Sequence, residues 1–160
     1  MHVPDDLPAP STERLRLVLD ADLGLLALAE RLRQHWASHA AAVGLSTAQV
    51  RVLLLMKPGD AVPMRSLATA LDYDASNFST LVDRLERRGV VERRADPSDR
   101  RVRALALTRE GKRQRAGFWR GLIEDPGPLA GLSAEQLRAL LTVLGATGVL
   151  DDAGQRGPAS

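Results

Sequence analysis

Asp72-Tyr73-Asp74 constrains the folding of this chain more than any other stretch, because it separates two short segments with helical periodicity. One runs from about Met64 to Leu71. The other runs from just after Asp74 to near Gly89. In each, apolar residues recur every three or four positions. The Asp74 carboxylate can accept from the unpaired backbone donors of a first helical turn, and Gly89 is a residue type that closes a helix. Two helices that short, joined by so tight a turn, are the sequence form of a helix-turn-helix.

The residues after Gly89 extend the motif. "VVERR" and "VRALALT" can alternate as strands on either side of an Asp96-Pro97-Ser98 turn, giving a hairpin, or wing, after the second helix. Before the motif lies a long helical pattern, "TERLRLVLDADLGLLALAERLRQHWASHAAAVG". Val18, Ala21, Leu25, Leu28, Leu32 and Trp36 form its apolar stripe, and Leu15, Leu19, Leu23 and Leu26 widen it. A stripe that wide predicts burial against both its own domain and a partner. Ser46 and Gln49 stand in capping-box spacing at the start of a second, short helix that ends at Pro58-Gly59. A basic helix begins at Thr108 and is broken by Pro126-Gly127-Pro128. Ser133 and Gln136 repeat the capping-box spacing ahead of a last helix with Leu137, Leu140, Leu141 and Leu144 on one stripe.

With 160 residues and only 3% aromatics, the core must be built from Leu, Val and Ala, which suits packed helices. The expected fold is mainly α with a small β-hairpin wing: one domain over residues 12–147, flanked by a flexible N-terminus (1–11) and C-terminal tail (148–160). Cysteine is absent, so thiol chemistry and disulfides are excluded. No run of ~18 apolar residues exists, and the acidic, proline-rich start is unlike a secretory signal. The expectation is a cytoplasmic protein with no membrane partner.

Charge is unevenly placed. Residues 84–120 hold thirteen basic residues against five acidic ones, a surplus of eight, so the rest of the chain carries −6 for a total of +2. Such asymmetry predicts a face that meets a polyanion. In the second motif helix, Phe78, Leu81, Val82 and Leu85 project within a narrow arc. Ser76, Thr80, Asp83 and Arg87 lie opposite, with Asn77, Ser79 and Arg84 on the flanks. Short polar side chains of this kind read base edges in the major groove of double-stranded DNA. Arg87, Arg88, Arg93 and Arg94 come next, placed either to neutralise phosphates or to pair with Glu86 and Glu92. At the wing tip, Arg100 or Arg101 can enter the minor groove with Asp99 orienting the guanidinium; a surface salt bridge is the plainer alternative.

The stretch "SNFSTLVDRLERRGVVERRADPSDRRVRALALTREG" resembles the signature of the MarR family of winged helix-turn-helix regulators, and the resemblance extends over roughly residues 12–147. The residues that carry it are Leu85 and Glu86, Gly89-Val90-Val91, Asp99-Arg100-Arg101, and Thr108 with Gly111. It implies an obligate homodimer, with residues 12–43 and 108–147 as dimerisation helices and 46–107 as the DNA-binding lobe. It implies a two-fold symmetric operator. It further implies Ser76, Asn77, Ser79, Thr80 and Arg84 as groove readers and phosphate clamps, with Asp99 and Arg101 as the wing pair. The function implied is a repressor that can be released by a small ligand. The alternative is a winged-helix module for protein interaction or dimerisation, whose basic wing meets an acidic partner. Asp72 stands where the family usually has Gly, and Asp tolerates the left-handed turn better than most residues.

His35 and His39 are four apart, a spacing that can place two imidazoles on one metal, but zinc would need Glu30 or a distant carboxylate to complete the set, so ordinary, partly exposed histidines are the favoured reading. A sharper use is a pocket for a small aromatic or anionic effector, made of His35, Trp36, His39, Arg51, Phe118 and Trp119; dimer-core packing accounts for the aromatics equally well. No metal and no cofactor is expected. The chain has no G-x-S-x-G, no phosphate-binding glycine loop and no H-E-x-x-H, and a non-enzyme is expected.

Overall fold

The structure is a computed structural model that describes residues 9–95 and 101–148, and side chains from residue 12 onward. Helix α1 spans Ala9–Ala42 and α2 spans Thr47–Leu54. Strand β1 (Ala61–Pro63) leads directly into α3 (Met64–Leu71), and α4 covers Ala75–Arg87. Strands β2 (Val91–Ala95) and β3 (Arg103–Leu107) form the wing. Helix α5 (Arg109–Glu124), a short 3-10 turn (Gly127–Leu129) and α6 (Ala134–Ala146) are the last elements among the described residues.

The local signals are realised at atomic detail. Ser46 and Ser133 each form a capping box with Gln49 and Gln136. Asp74 caps α4 by accepting from the Asn77 backbone N–H at 2.9 Å. Asp72 is the one non-glycine residue with positive φ among the described residues, at φ 59° and ψ 45°. It adopts the left-handed turn that glycine would otherwise supply. Helix α1 begins at Ala9, inside the stretch expected to be flexible; Pro10 fits a first helical turn, where its missing N–H has no partner to lose.

The expected hairpin forms from β2 and β3, and a strand not expected from the sequence, β1, joins it. The sheet has three antiparallel strands in the order β1-β3-β2, with Leu105 opposite Val62 on one side and Arg93 on the other. Pro63 is acceptable in β1 because the strand lies at the sheet edge. Central placement explains why Ala104, Leu105, Ala106 and Leu107 are all buried rather than alternating.

The core joins the helices to this sheet. Val50, Leu53, Met56, Leu67, Phe78, Val82, Leu85, Val90, Leu105 and Phe118 are almost wholly inaccessible. Gly111 at the start of α5 sits against the backbone of Val90, where an added Cβ would lie 2.1 Å from the carbonyl oxygen. Thr108, the α5 cap, accepts from Gly111 N–H and donates its hydroxyl to the Gly89 carbonyl at 2.6 Å, tying the wing's exit to the end of α4. Arg115 Nε donates to the Leu53 carbonyl at 3.1 Å, a cation on the open end of α2.

The first half of α1 is different. Leu17, Val18, Leu23, Leu25 and Leu26 are exposed, as are Ile123 on α5 and Leu141 and Val143 on α6. The second half of α1 packs on α2, α5 and the 3-10 turn. Among the described residues, no helix is long and apolar enough to cross a membrane.

Candidate nucleic-acid interface

Helix α4 presents two faces. Phe78, Val82 and Leu85 are buried against the core. Ser76, Asn77, Thr80, Asp83, Arg84 and Arg87 are exposed, and Ser79 is half-buried at the boundary. Thr80 Oγ1 donates back to the Ser76 carbonyl at 3.2 Å, and Arg87 Nε donates to the Asp83 carbonyl at 3.3 Å. These are weak local contacts that a stronger ligand can replace, so the side chains remain available. Asn77 is engaged more firmly, since its side-chain amide donates to the Asp74 carboxylate as its backbone does. These donors, the backbone N–H first, hold Asp74 below the usual aspartate range. The cap therefore stays ionised and fixes the first turn of the exposed face.

The wing is braced against α4. Arg93 forms ion pairs with both Asp83 and Glu86, and its backbone N–H donates to Glu86 Oε1 at 3.4 Å. The Asp83 hydrogen bond is the largest of the effects that keep its guanidinium more firmly protonated than usual. Arg94, further along the same strand and exposed, pairs with Glu92. Of the wing arginines that the sequence marks out, Arg93 is thus committed to two carboxylates and Arg94 to one. Arg101 is exposed where the chain re-enters the wing. Asp99 and Arg100, with the Asp96-Pro97-Ser98 turn, lie outside the described residues.

Two further exposed arginines in the same lobe escape the sequence reading. Arg65 lies in the first turn of α3 and Arg103 opens β3. Arg103 had a readable signal, because it is the polar end of the "VRALALT" alternation.

The residues of the expected effector pocket divide. His35, Trp36 and His39 on α1 meet Phe118 on α5: the Trp36 and Phe118 rings are 5.4 Å apart, His39 and Phe118 6.4 Å, and His35 and His39 4.5 Å, all edge-on. Phe118 is fully buried, so it serves the core first. Arg51 is exposed on α2, and Trp119 is exposed on α5, one residue round from the cluster. Asp125 instead joins the two histidines, a neighbour that the sequence did not reveal.

A family profile described as the MarR family matches residues 43–102, from the end of α1 to the wing. The chain is similar to two proteins of Bacillus subtilis (strain 168). It is 29% identical to the HTH-type transcriptional repressor MdtR over 60% of this chain and 62% of that protein. It is 28% identical to the uncharacterized HTH-type transcriptional regulator YdgJ over 65% of this chain and 64% of that protein. It thus spans just under two thirds of each relative. Among solved structures, the transcriptional repressor CouR bound to a 23-mer DNA duplex is 30% identical, with a TM-score of 0.67 over 78% of this chain and 89% of that one. CouR from Rhodococcus jostii RHA1 bound to p-coumaroyl-CoA is 29% identical, with a TM-score of 0.66 over 81% of this chain and 93% of that one.

Proposed function

This chain belongs to the MarR family of winged-helix transcription regulators, and on that premise we propose that it is a cytoplasmic homodimer that represses a promoter by binding a palindromic operator. One observation carries the reading: α4 buries Phe78, Val82 and Leu85 and turns Ser76, Thr80, Arg84 and Arg87 outward, beside a wing whose exposed end carries Arg101. A helix with short polar groups and flanking cations on its free face suits the major groove.

Ser76, Asn77, Ser79 and Thr80 read bases, and Arg84 and Arg87 take phosphates. Arg101, with Asp99 and Arg100, serves the minor groove. Arg94 sits at the backbone edge, and Arg93 sets the angle between wing and helix. The solved duplex complex of CouR, similar over most of this chain, supports DNA as the ligand. The exposed leucines of α1 and the apolar residues of α6 are the surface that a second copy covers. Two reading helices related by a two-fold axis address half-sites about 10 bp apart.

A small aromatic or anionic effector fits the His35, Trp36, His39 and Phe118 cluster, where α1 meets α5. CouR is known with p-coumaroyl-CoA bound, which supports an organic effector for a protein of this shape.

Hydroxyl-radical footprinting along the DNA upstream of the protein's own gene tests the reading. Two protected half-sites about one helical turn (~10 bp) apart are expected. Uniform weak protection, removed by competitor DNA of any sequence, would contradict it and favour a basic module that meets another polyanion.

A further inference from the structure

We propose that His35, His39 and Asp125 form a binding site for one divalent transition-metal ion. The two histidines lie four residues apart on α1, so both rings leave the same face of the helix. Asp125 arrives as the C-cap of α5, in extended conformation immediately before Pro126. The Pro126-Gly127-Pro128 break turns the chain back over α1, and so brings this carboxylate to the imidazoles.

The geometry converges on one point. His35 Nδ1 and His39 Nε2 both face Asp125 Oδ2, at 3.6 and 3.7 Å. Those separations are too long for direct hydrogen bonds. They come close to the ~3.4 Å edge of a tetrahedron whose centre lies ~2.1 Å from each corner, the ligand spacing of zinc. One ligand atom from each of the three residues lies within 4.8 Å of the others. Small side-chain adjustments close the set.

Burial supports the same reading. The histidine side chains are 10% and 14% exposed, and Nε2 of each is buried without a hydrogen-bond partner. An orphaned buried polar atom calls for a ligand, and coordination would satisfy His39 Nε2 directly. Two glycines keep the space that the rings fill. A Cβ at Gly121 would lie 2.6 Å from His39 Nδ1, and one at Gly127, where φ is +80°, would lie 2.5 Å from His35 Cδ2 and Nε2. Asp125 is 68% exposed, which leaves a route for the ion and a place for water as fourth ligand.

Two imidazoles and one carboxylate suit Zn²⁺, Ni²⁺, Co²⁺ or Cu²⁺, whereas Mg²⁺ and Ca²⁺ prefer all-oxygen sets. A bound ion would staple α1 to the junction between α5 and the 3-10 turn. The proposal stands independently of DNA binding.

The test uses the full chain, free of affinity tag and stripped of metal. Co²⁺ is titrated by visible absorption, and Zn²⁺ by competition with a chromophoric chelator. One ion per chain is expected, with the ligand-field bands of four-coordinate Co²⁺. Asp125→Asn alters an exposed side chain and should fold normally; it should weaken binding by about tenfold or more. His39→Ala should abolish stoichiometric binding, and His2→Ala should leave it unchanged. Metal-free melting curves identify any variant whose fold has failed, and Asp125→Asn then decides alone. Absence of stoichiometric binding, unchanged affinity in Asp125→Asn, or binding lost with His2→Ala would overturn the proposal.

Discussion

Arg93 on β2 reaches back ten residues to pair with Asp83 on the exposed side of α4, with Glu86 on its other flank. The pairing braces the wing against the second motif helix, so the two elements would meet the proposed DNA ligand in fixed relation. Arg93→Met should lower operator affinity by about 3- to 10-fold through misplacement of the wing, with the salt dependence of binding unchanged. Arg84→Ala should reduce the salt slope by ~1, as loss of one phosphate contact does. A slope change of that size in Arg93→Met would instead place its guanidinium on the DNA backbone.

Thr80 and Arg101 should separate by what they read. Thr80→Ala should cost ~1–3 kcal/mol on the operator and almost nothing on random duplex. Arg101→Ala should weaken both and flatten the salt dependence. Equal losses on the two duplexes for Thr80→Ala would remove it from the reading surface. Anisotropy titrations of both variants on both duplexes check this.

Leu26 is 67% exposed in the single chain, within a run of exposed apolar residues on α1. If the proposed dimer forms through this surface, Leu26→Glu should give a monomer, seen by light scattering, and lower operator affinity by more than about 100-fold as the second half-site is lost. A wild-type monomer at micromolar concentration would contradict the two-fold geometry.

Gly111 has no room for a side chain beside the Val90 carbonyl. Gly111→Ala should lower stability by about 2–3 kcal/mol in urea denaturation. It would also loosen the joint between the start of α5 and the end of α4, which Thr108 holds through Gly89. A midpoint equal to wild type would mean that the helix start shifts without cost.

Local signals made most of the fold legible. Ser46, Asp74 and Ser133 announced their helices because a cap is a short-range contact, and each hydrogen bond lies within three residues of its origin. Strand β1 was hidden: its three residues, Ala61-Val62-Pro63, are too few to show alternation, and its pairing with β3 spans more than forty residues of chain. On the interface, α4 could be read because one helical period sorts its faces. Glu86 and Glu92 were legible as partners for the following arginines, and Arg93 and Arg94 do meet them; the second partner of Arg93, Asp83, was not, since only the twist of the wing decides which further carboxylate an arginine meets. Asp125 was invisible for the same reason, separated from His39 by most of the sequence yet joined to it by the turn at Pro126.

Sequence-specific binding of double-stranded DNA is what separates a regulator from a basic interaction module. Fluorescence anisotropy with a labelled duplex from upstream of the protein's own gene, against a random duplex and across a salt series, tests it most directly. The predicted result is saturable binding by two subunits, with a preference of ~10³ or more for the upstream duplex at physiological salt. Equal, weak binding to both duplexes that vanishes near physiological salt would contradict it.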